Sequence, residues 1–112
     1  MATESTSPDA GPAPVRTAHA FAEELAELDA VDTAAAVASG ALSPLEVAEA
    51  AIVRAAVVDP SLHAIVTADD DRARVAAGEL RVRGGLAALP TYIKDMVDVK
   101  GYPTAWGSPA IE

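Results

Sequence analysis

The sequence predicts a mixed α/β fold made of helices and two short strands. Several segments have helical periodicity bounded by capping residues, whereas residues 62–67 and 91–99 have the composition or the alternation of strands. Because helices, a strand, a helix and a strand follow one another, the element order favours a mixed α/β arrangement. The length of 112 residues allows one domain at most.

Composition excludes several classes of protein. A net charge of −9 opposes binding to nucleic acid, which needs clustered lysine and arginine. The chain has no cysteine, and its two histidines stand in no cluster with metal-ligand spacing, so we expect neither a metal nor a cofactor. No apolar stretch approaches the roughly twenty residues of a membrane span. Because the N-terminus also lacks a secretory signal, we expect a soluble, cytoplasmic chain that binds neither membranes nor nucleic acid.

Residues 1–16 are predicted to be a disordered tail, because they contain three prolines among small and polar residues. Two helices are predicted next. Residues 20–30 are a modest helical candidate. Asp29 is placed to cap a second helix over 31–39, and Gly40 stands where a left-handed residue commonly ends a helix.

The clearest helix signal is Ser43-Pro44-Leu45-Glu46. Ser43 is a natural N-cap, Pro44 suits the first helical position, and Glu46 can bond back to the cap. We predict that this helix ends near Val58, because Asp59-Pro60 disfavours its continuation.

The helix over 44–58 is predicted to have a wide apolar surface. Its only charged residues, Glu46, Glu49 and Arg54, fall within an arc of roughly 140°. The apolar side carries Leu45, Val47, Ala48, Ala51, Ile52, Ala55 and Val58. A chain with one Phe and one Trp offers little to cover this surface, so we infer that part of the covering body is missing.

A strand, a helix and a second strand are predicted to follow. Residues 62–67 form the first strand, and the three aspartates at 69–71 open a helix that ends near Arg81 to Arg83. Residues 91–99 alternate as a strand does. One face of that strand carries Tyr92, Lys94, Met96 and Asp98.

Lys94 is the residue that most strongly suggests chemistry. A lysine among apolar neighbours has a lowered pKa and can act as a neutral base. The alternative is an edge-strand lysine that reaches water and opposes aggregation. The serines offer no evident partner, since none stands in a G-x-S-x-G motif or beside a base.

The segment around Lys94 resembles the lysine motif of the amidase signature family. Residues 88–108 read ALPTYIKDMVDVKGYPTAWGS, which is similar to P-x-x-x-K-D-N, a hydrophobic pair and G-x-P-T-T-x-G-S. Upstream, LDA at 28–30, SGALSPLE at 39–46 and PSLHAIV at 60–66 are similar to the family's opening helices and first strand. The resemblance covers roughly residues 27–112.

The resemblance implies a Ser–cis-Ser–Lys hydrolase that cleaves the carbon–nitrogen bond of small-molecule amides. Lys94 matches the catalytic lysine. Residues 17–112 would form the N-terminal portion of an α/β domain, a mixed sheet flanked by helices, which is incomplete at its C-terminus. The family's bridging and nucleophilic serines belong downstream of the lysine motif, whereas Ser108 belongs to the motif itself. We therefore expect the 112-residue chain alone to be inactive.

Two positions depart from the family pattern. Met96 stands where asparagine is common, and Ala105-Trp106 replaces the second threonine and a small residue. Trp106 is predicted to pack in the core, with a substrate-facing position as the alternative.

An alternative function is a small helical protein-interaction module without catalysis. The apolar face of the helix over 44–58 would then dock a partner. Such a chain would fold and bind by itself, whereas the first portion of a larger enzyme would expose apolar surface and be partly molten.

Overall fold

The computed structural model describes residues 17–81 and 84–111, and its regular secondary structure there is helical. The helices are α1 (Ala18–Ala26), α2 (Ala30–Ala38), α3 (Pro44–Leu62) and α4 (Asp70–Glu79). Helix α3 is the central element, because both α1 and α4 pack against it. The predicted tail over residues 1–16 lies outside the described residues.

The first two helices begin and end at capping residues. Thr17 caps α1 by accepting the amide of Ala20 at 3.2 Å. Asp29 caps α2 by accepting the amide of Asp32 at 2.8 Å, which confirms the predicted cap. Gly40 follows α2 with φ of 80°, a left-handed conformation that glycine adopts without a steric penalty, as predicted.

Helix α3 begins with the predicted capping box. The Ser43 hydroxyl accepts the amide of Glu46 at 3.1 Å, and the Glu46 carboxylate accepts the amide of Ser43 at 2.7 Å. Pro44 occupies the first turn, where its missing N–H costs no intrahelical hydrogen bond. The helix start could be predicted because all of its determinants lie within four consecutive residues.

We expect Ser43→Ala to destabilise the start of α3 by about 1 kcal/mol, because one orphan amide loses its acceptor. Amide hydrogen exchange of Glu46 and its neighbours in the 112-residue chain measures the effect. Ser61→Ala, at the other end of the same helix, is the matched control. The Ser61 hydroxyl only donates to the carbonyl of Val58, so its loss should leave that first turn protected. Equal exchange in the two variants would contradict the importance of the cap.

The predicted end of α3 near Val58 is wrong, because the helix continues through Pro60 to Leu62. Asp59 explains the extension. Its carbonyl accepts the amide of His63 at 2.7 Å, and its Oδ1 accepts the amides of Ala64 at 2.7 Å and Ile65 at 3.0 Å. Asp59 thus closes the helix end beyond the proline with local hydrogen bonds, which a rule based on the residue before proline does not include.

The described core is small and made mostly of small side chains. It contains Ala22, Ala34, Val37, Val47 and Ala50, together with the polar Thr33. The Thr33 hydroxyl donates to the carbonyl of Asp29 at 2.8 Å, so its burial is satisfied. On α3 only Val47 and Ala50 are buried. Of the predicted apolar side, Leu45 is exposed, and the others are half-buried: Ala48, Ala51, Ile52, Ala55 and Val58. The described residues therefore cover only part of the predicted apolar arc.

The two predicted strands and the mixed sheet are absent from the described residues. A strand needs a neighbouring strand to satisfy its backbone groups. In the segment 62–67, the amides of Ala64 and Ile65 are instead taken by the Asp59 carboxylate. In the segment 91–99, the amide of Val97 donates to the carbonyl of Lys94 at 3.0 Å and forms a turn. In both segments, hydrogen bonds to nearby acceptors take the place of the hydrogen bonds between strands that the sequence pattern predicted.

Ion pairs connect α3 to its two neighbours. Arg54 of α3 pairs with Glu23 of α1, and Arg74 of α4 pairs with Glu49 of α3. The Arg74 Nε atom lies 2.6 Å from Glu49 Oε1, and this hydrogen bond raises the pKa of the Arg74 guanidinium above its ordinary value. These pairs contribute little to stability, since partly exposed ion pairs are weak.

Helix α4 begins as predicted and ends earlier than predicted. Asp69 caps it by accepting the amide of Arg72 at 3.2 Å. The helix ends at Glu79, before the predicted end near Arg81 to Arg83, because Leu80 is already extended. Of that predicted end, residues 82 and 83 lie outside the described part of the chain. Among the helices that the structure describes, none is long and apolar enough to cross a membrane.

Candidate functional site

Lys94 lies in an irregular segment that follows α4 and rests on the helices. Leu89 and Pro90, just before it, line the same groove as Leu25 of α1 and Ala51 of α3. The chain then makes the turn that begins at Lys94, whose side chain is exposed to solvent. Within residues 17–81 and 84–111, no carboxylate forms an ion pair with it. Lys94 is therefore an accessible amine on a turn, not a member of a strand face.

Asp95 collects three consecutive amides from the other end of this segment. Its Oδ1 accepts the amide of Ala105 at 3.0 Å, and its Oδ2 accepts the amide of Gly107 at 3.2 Å. Its carbonyl accepts the amide of Trp106 at 3.1 Å. We call this set of hydrogen bonds the Asp95 clamp. It closes residues 95–107 into a loop, with Lys94 directly beside the point of closure.

Two consecutive residues of the clamp have a left-handed backbone. Trp106 and Gly107 have φ of 52° and 69°, and both of their amides are accepted by Asp95. Trp106 carries the steric penalty of a side chain in this region, which the converging hydrogen bonds offset.

The predicted core packing of Trp106 is wrong for the described part of the chain, where its side chain is 61% exposed. It belongs to a group of exposed apolar residues that lie in this loop or just before it. The group consists of Tyr92, Ile93, Met96, Val97 and Trp106. Exposed apolar side chains therefore precede and follow Lys94 in the sequence, and their contact with water is unfavourable.

Arg72 of α4 braces the middle of the loop. Its guanidinium carbon lies 4.6 Å from the centroid of the Tyr102 ring, a cation–π contact, and its Nη2 lies 3.5 Å from the carbonyl of Lys100. Gly101 has φ of 87°, and a Cβ atom there would lie 2.8 Å from Arg72 Nη1. Glycine at this position is what lets the guanidinium lie against the backbone.

The serine hydroxyls of the described residues are engaged in local bonds to backbone groups. Ser39 and Ser61 donate to carbonyls one turn back, at 3.1 and 3.0 Å. Ser43 accepts at the start of α3, and Ser108 accepts the amide of Ala110 at 3.2 Å. These serines act as caps and turn residues. The structure brings no serine of this part of the chain into a hydrogen bond with Lys94.

The structure also describes no metal centre. Within residues 17–81 and 84–111, no group of three or more histidine, aspartate or glutamate side chains could hold a metal ion. The consecutive aspartates at 69–71 serve as the cap and first turn of α4. The site that remains is the exposed amine of Lys94 beside a loop that Asp95 and Arg72 hold.

Comparison with known proteins identifies the family. Residues 46–112 match the protein family described as Amidase, a range that includes most of α3, all of α4 and the whole Lys94 loop. The chain belongs to the amidase family. This membership confirms the resemblance found in the lysine motif.

Curated members of the amidase family resemble most of the chain. The Mycobacterium tuberculosis protein named "Putative amidase AmiC" is 44% identical over 96 residues, which cover 84% of this chain and 20% of that protein. The acylamidase of Rhodococcus erythropolis is 42% identical over 87 residues, which cover 71% and 18%. The indoleacetamide hydrolase of Bradyrhizobium diazoefficiens is 42% identical over 88 residues, which cover 72% and 17%.

The chain spans about a fifth of the length of these amidase relatives. No solved structure gives a significant match. Sequence reasoning singled out Lys94, first from its place on a predicted strand and then from the family motif, but it missed Asp95 and Arg72 as organisers of the loop. The sequence signal available for the clamp was an aspartate with a small residue 10 positions later and a glycine 12 positions later.

Proposed function

We propose that this chain is the N-terminal portion of an amide hydrolase in which Lys94 is the catalytic base. The observation that carries the proposal is the position of Lys94. It lies in the segment that matches the Amidase family, on a turn held by the Asp95 clamp, and no ion pair of the described residues engages its amine. A general base must come within hydrogen-bond reach of the proton that it takes.

The proposed reaction is a Ser–cis-Ser–Lys hydrolysis. The neutral amine of Lys94 takes the proton of a nucleophilic serine through a bridging serine in a cis peptide. The serine oxygen attacks the amide carbonyl, and backbone N–H groups stabilise the oxyanion that forms. The carbon–nitrogen bond breaks, and the leaving nitrogen takes the proton back from Lys94 through the bridging serine. Water then cleaves the acyl-enzyme ester and releases the acid.

The proposed substrate is a small-molecule amide. The relatives named acylamidase and indoleacetamide hydrolase carry names of amide-cleaving enzymes, and 42% identity links each of them to this chain. Both serines of the mechanism would come from sequence outside these 112 residues. The serine hydroxyls described here support that division, because each is engaged with the backbone next to it.

We expect the purified 112-residue chain to release no ammonia from a simple carboxamide, because it contains a base without a nucleophile. The positive counterpart is a hybrid enzyme, in which this chain replaces the matching segment of the Rhodococcus acylamidase. The hybrid is expected to hydrolyse the substrates of its parent. If the 112-residue chain hydrolysed the carboxamide and Lys94→Ala abolished that activity, the chain would contain its own nucleophile. The proposal that both serines lie outside these 112 residues would then be wrong.

A further inference from the structure

We propose that Asp95 is a positioning residue that holds Lys94 in the geometry needed for proton transfer, an inference that rests on the proposed role of Lys94. The carboxylate of Asp95 does not act on the substrate in this proposal. It closes the loop over residues 95–107 and thereby fixes the backbone to which Lys94 is attached.

The backbone on the C-terminal side of Lys94 is held at two successive carbonyls. The carbonyl of Lys94 accepts the amide of Val97 at 3.0 Å, and the carbonyl of Asp95 accepts the amide of Trp106 at 3.1 Å. The peptide that joins Lys94 to Asp95 lies between these two bonds. A change in the clamp therefore reaches the Cα atom of Lys94 through a single peptide unit.

The Asp95 carboxylate has two acceptor oxygens, which no neutral side chain of the same size has. Its two oxygens accept the amides of Ala105 and Gly107, which stand two residues apart. An asparagine would keep one acceptor and turn an N–H group toward the other amide. Asp98, three residues further on in the same loop, is exposed and makes no side-chain hydrogen bond to the described residues. The two aspartates thus differ in function although they share a loop.

Two separate contacts hold the loop, and only one of them adjoins Lys94. Arg72 braces residues 100–102 from α4, whereas the Asp95 clamp joins the start of the loop to residues 105–107. Removing the clamp leaves the brace and the helices in place. A variant at position 95 is therefore expected to misplace Lys94 without unfolding the protein.

The test uses Asp95→Ala in the hybrid enzyme, with Asp98→Ala as the matched control. Displacing a catalytic group by about 1 Å costs on the order of 100-fold in rate. We expect Asp95→Ala to lower kcat by about 100-fold and to leave KM within about threefold, because substrate contacts are unchanged. Asp98→Ala is expected to keep the parental kcat. Parental kcat in a folded Asp95→Ala enzyme would overturn the positioning role, as would a loss confined to KM.

Lys94→Ala, measured in parallel, separates the two proposals. If Lys94→Ala is inactive while Asp95→Ala keeps the parental kcat, the positioning role alone is overturned. If Lys94→Ala keeps the parental kcat, the proposed catalytic base is wrong and the positioning role falls with it.

Asp95→Asn provides a second test that does not require the alanine variant to fold. The asparagine keeps the size of the side chain and one of the two acceptors. We expect an intermediate loss of kcat, together with faster hydrogen exchange at the amide of Ala105 or Gly107. Unchanged exchange at both amides, or parental kcat, would show that the clamp does not hold Lys94.

Discussion

Lys94→Ala in the hybrid enzyme is expected to lower kcat by about 1,000-fold, within the range that a positioned general base contributes. The side chain is exposed on a turn, and no ion pair joins it to the described residues, so its loss removes no packing contact of the core. The thermal midpoint should therefore stay near that of the parent. Steady-state ammonia release and a thermal melt measure the two quantities.

Lys100→Ala is the matched control for this prediction. Lys100 is the other lysine of the chain, lies in the same loop and is also exposed, and only its backbone carbonyl takes part in the Arg72 brace. Its substitution is expected to leave kcat near the parental value. Equal losses in the two variants would indicate a general effect of charge on the loop and would remove the case for Lys94 as the base.

Val47→Asp is expected to destabilise the helical core by about 3 kcal/mol, because an unpaired carboxylate would replace one of the few buried apolar side chains. Val47 is 4% exposed, so the new carboxylate would lie away from water. Thermal unfolding of the hybrid enzyme, followed by far-UV circular dichroism, measures the change as a lower thermal midpoint.

Val57→Asp provides the matched comparison on the same helix. Val57 is 52% exposed, so its carboxylate would remain hydrated, and a change within about 0.5 kcal/mol is expected. Similar midpoints for the two variants would mean that α1 and α3 do not bury Val47 in solution. The described core would then not be the core of the folded chain.

The sequence allowed accurate prediction where the determinants of structure are local. Asp29, Gly40 and Ser43 were predicted in their roles because a cap depends on a few consecutive residues. The start of α4 at Asp69 was predicted correctly for the same reason. The end of α3 failed for a related reason, since the acceptors that close it belong to Asp59, a residue interpreted only as the neighbour of a proline.

The absence of the strands could not be predicted from a side-chain pattern, and the loop could not be predicted because the residues that close it are distant in sequence. Alternation over residues 91–99 is a pattern of side chains, whereas a strand depends on a partner for its backbone. The loop is closed by Asp95, which accepts amides 10 and 12 positions away. Arg72 meets the loop across 28 positions. The family motif predicts a role for Lys94 but reveals neither of these supports.

Because Arg72 lies close to Gly101, the effect of a substitution at one of these positions depends on the residue at the other. A side chain at position 101 would displace the guanidinium, so its effect depends on whether arginine is still present at position 72. Shortening Arg72 would remove the collision but would leave the left-handed backbone at position 101, which resists any Cβ atom. Compensation between the two sites can therefore be only partial.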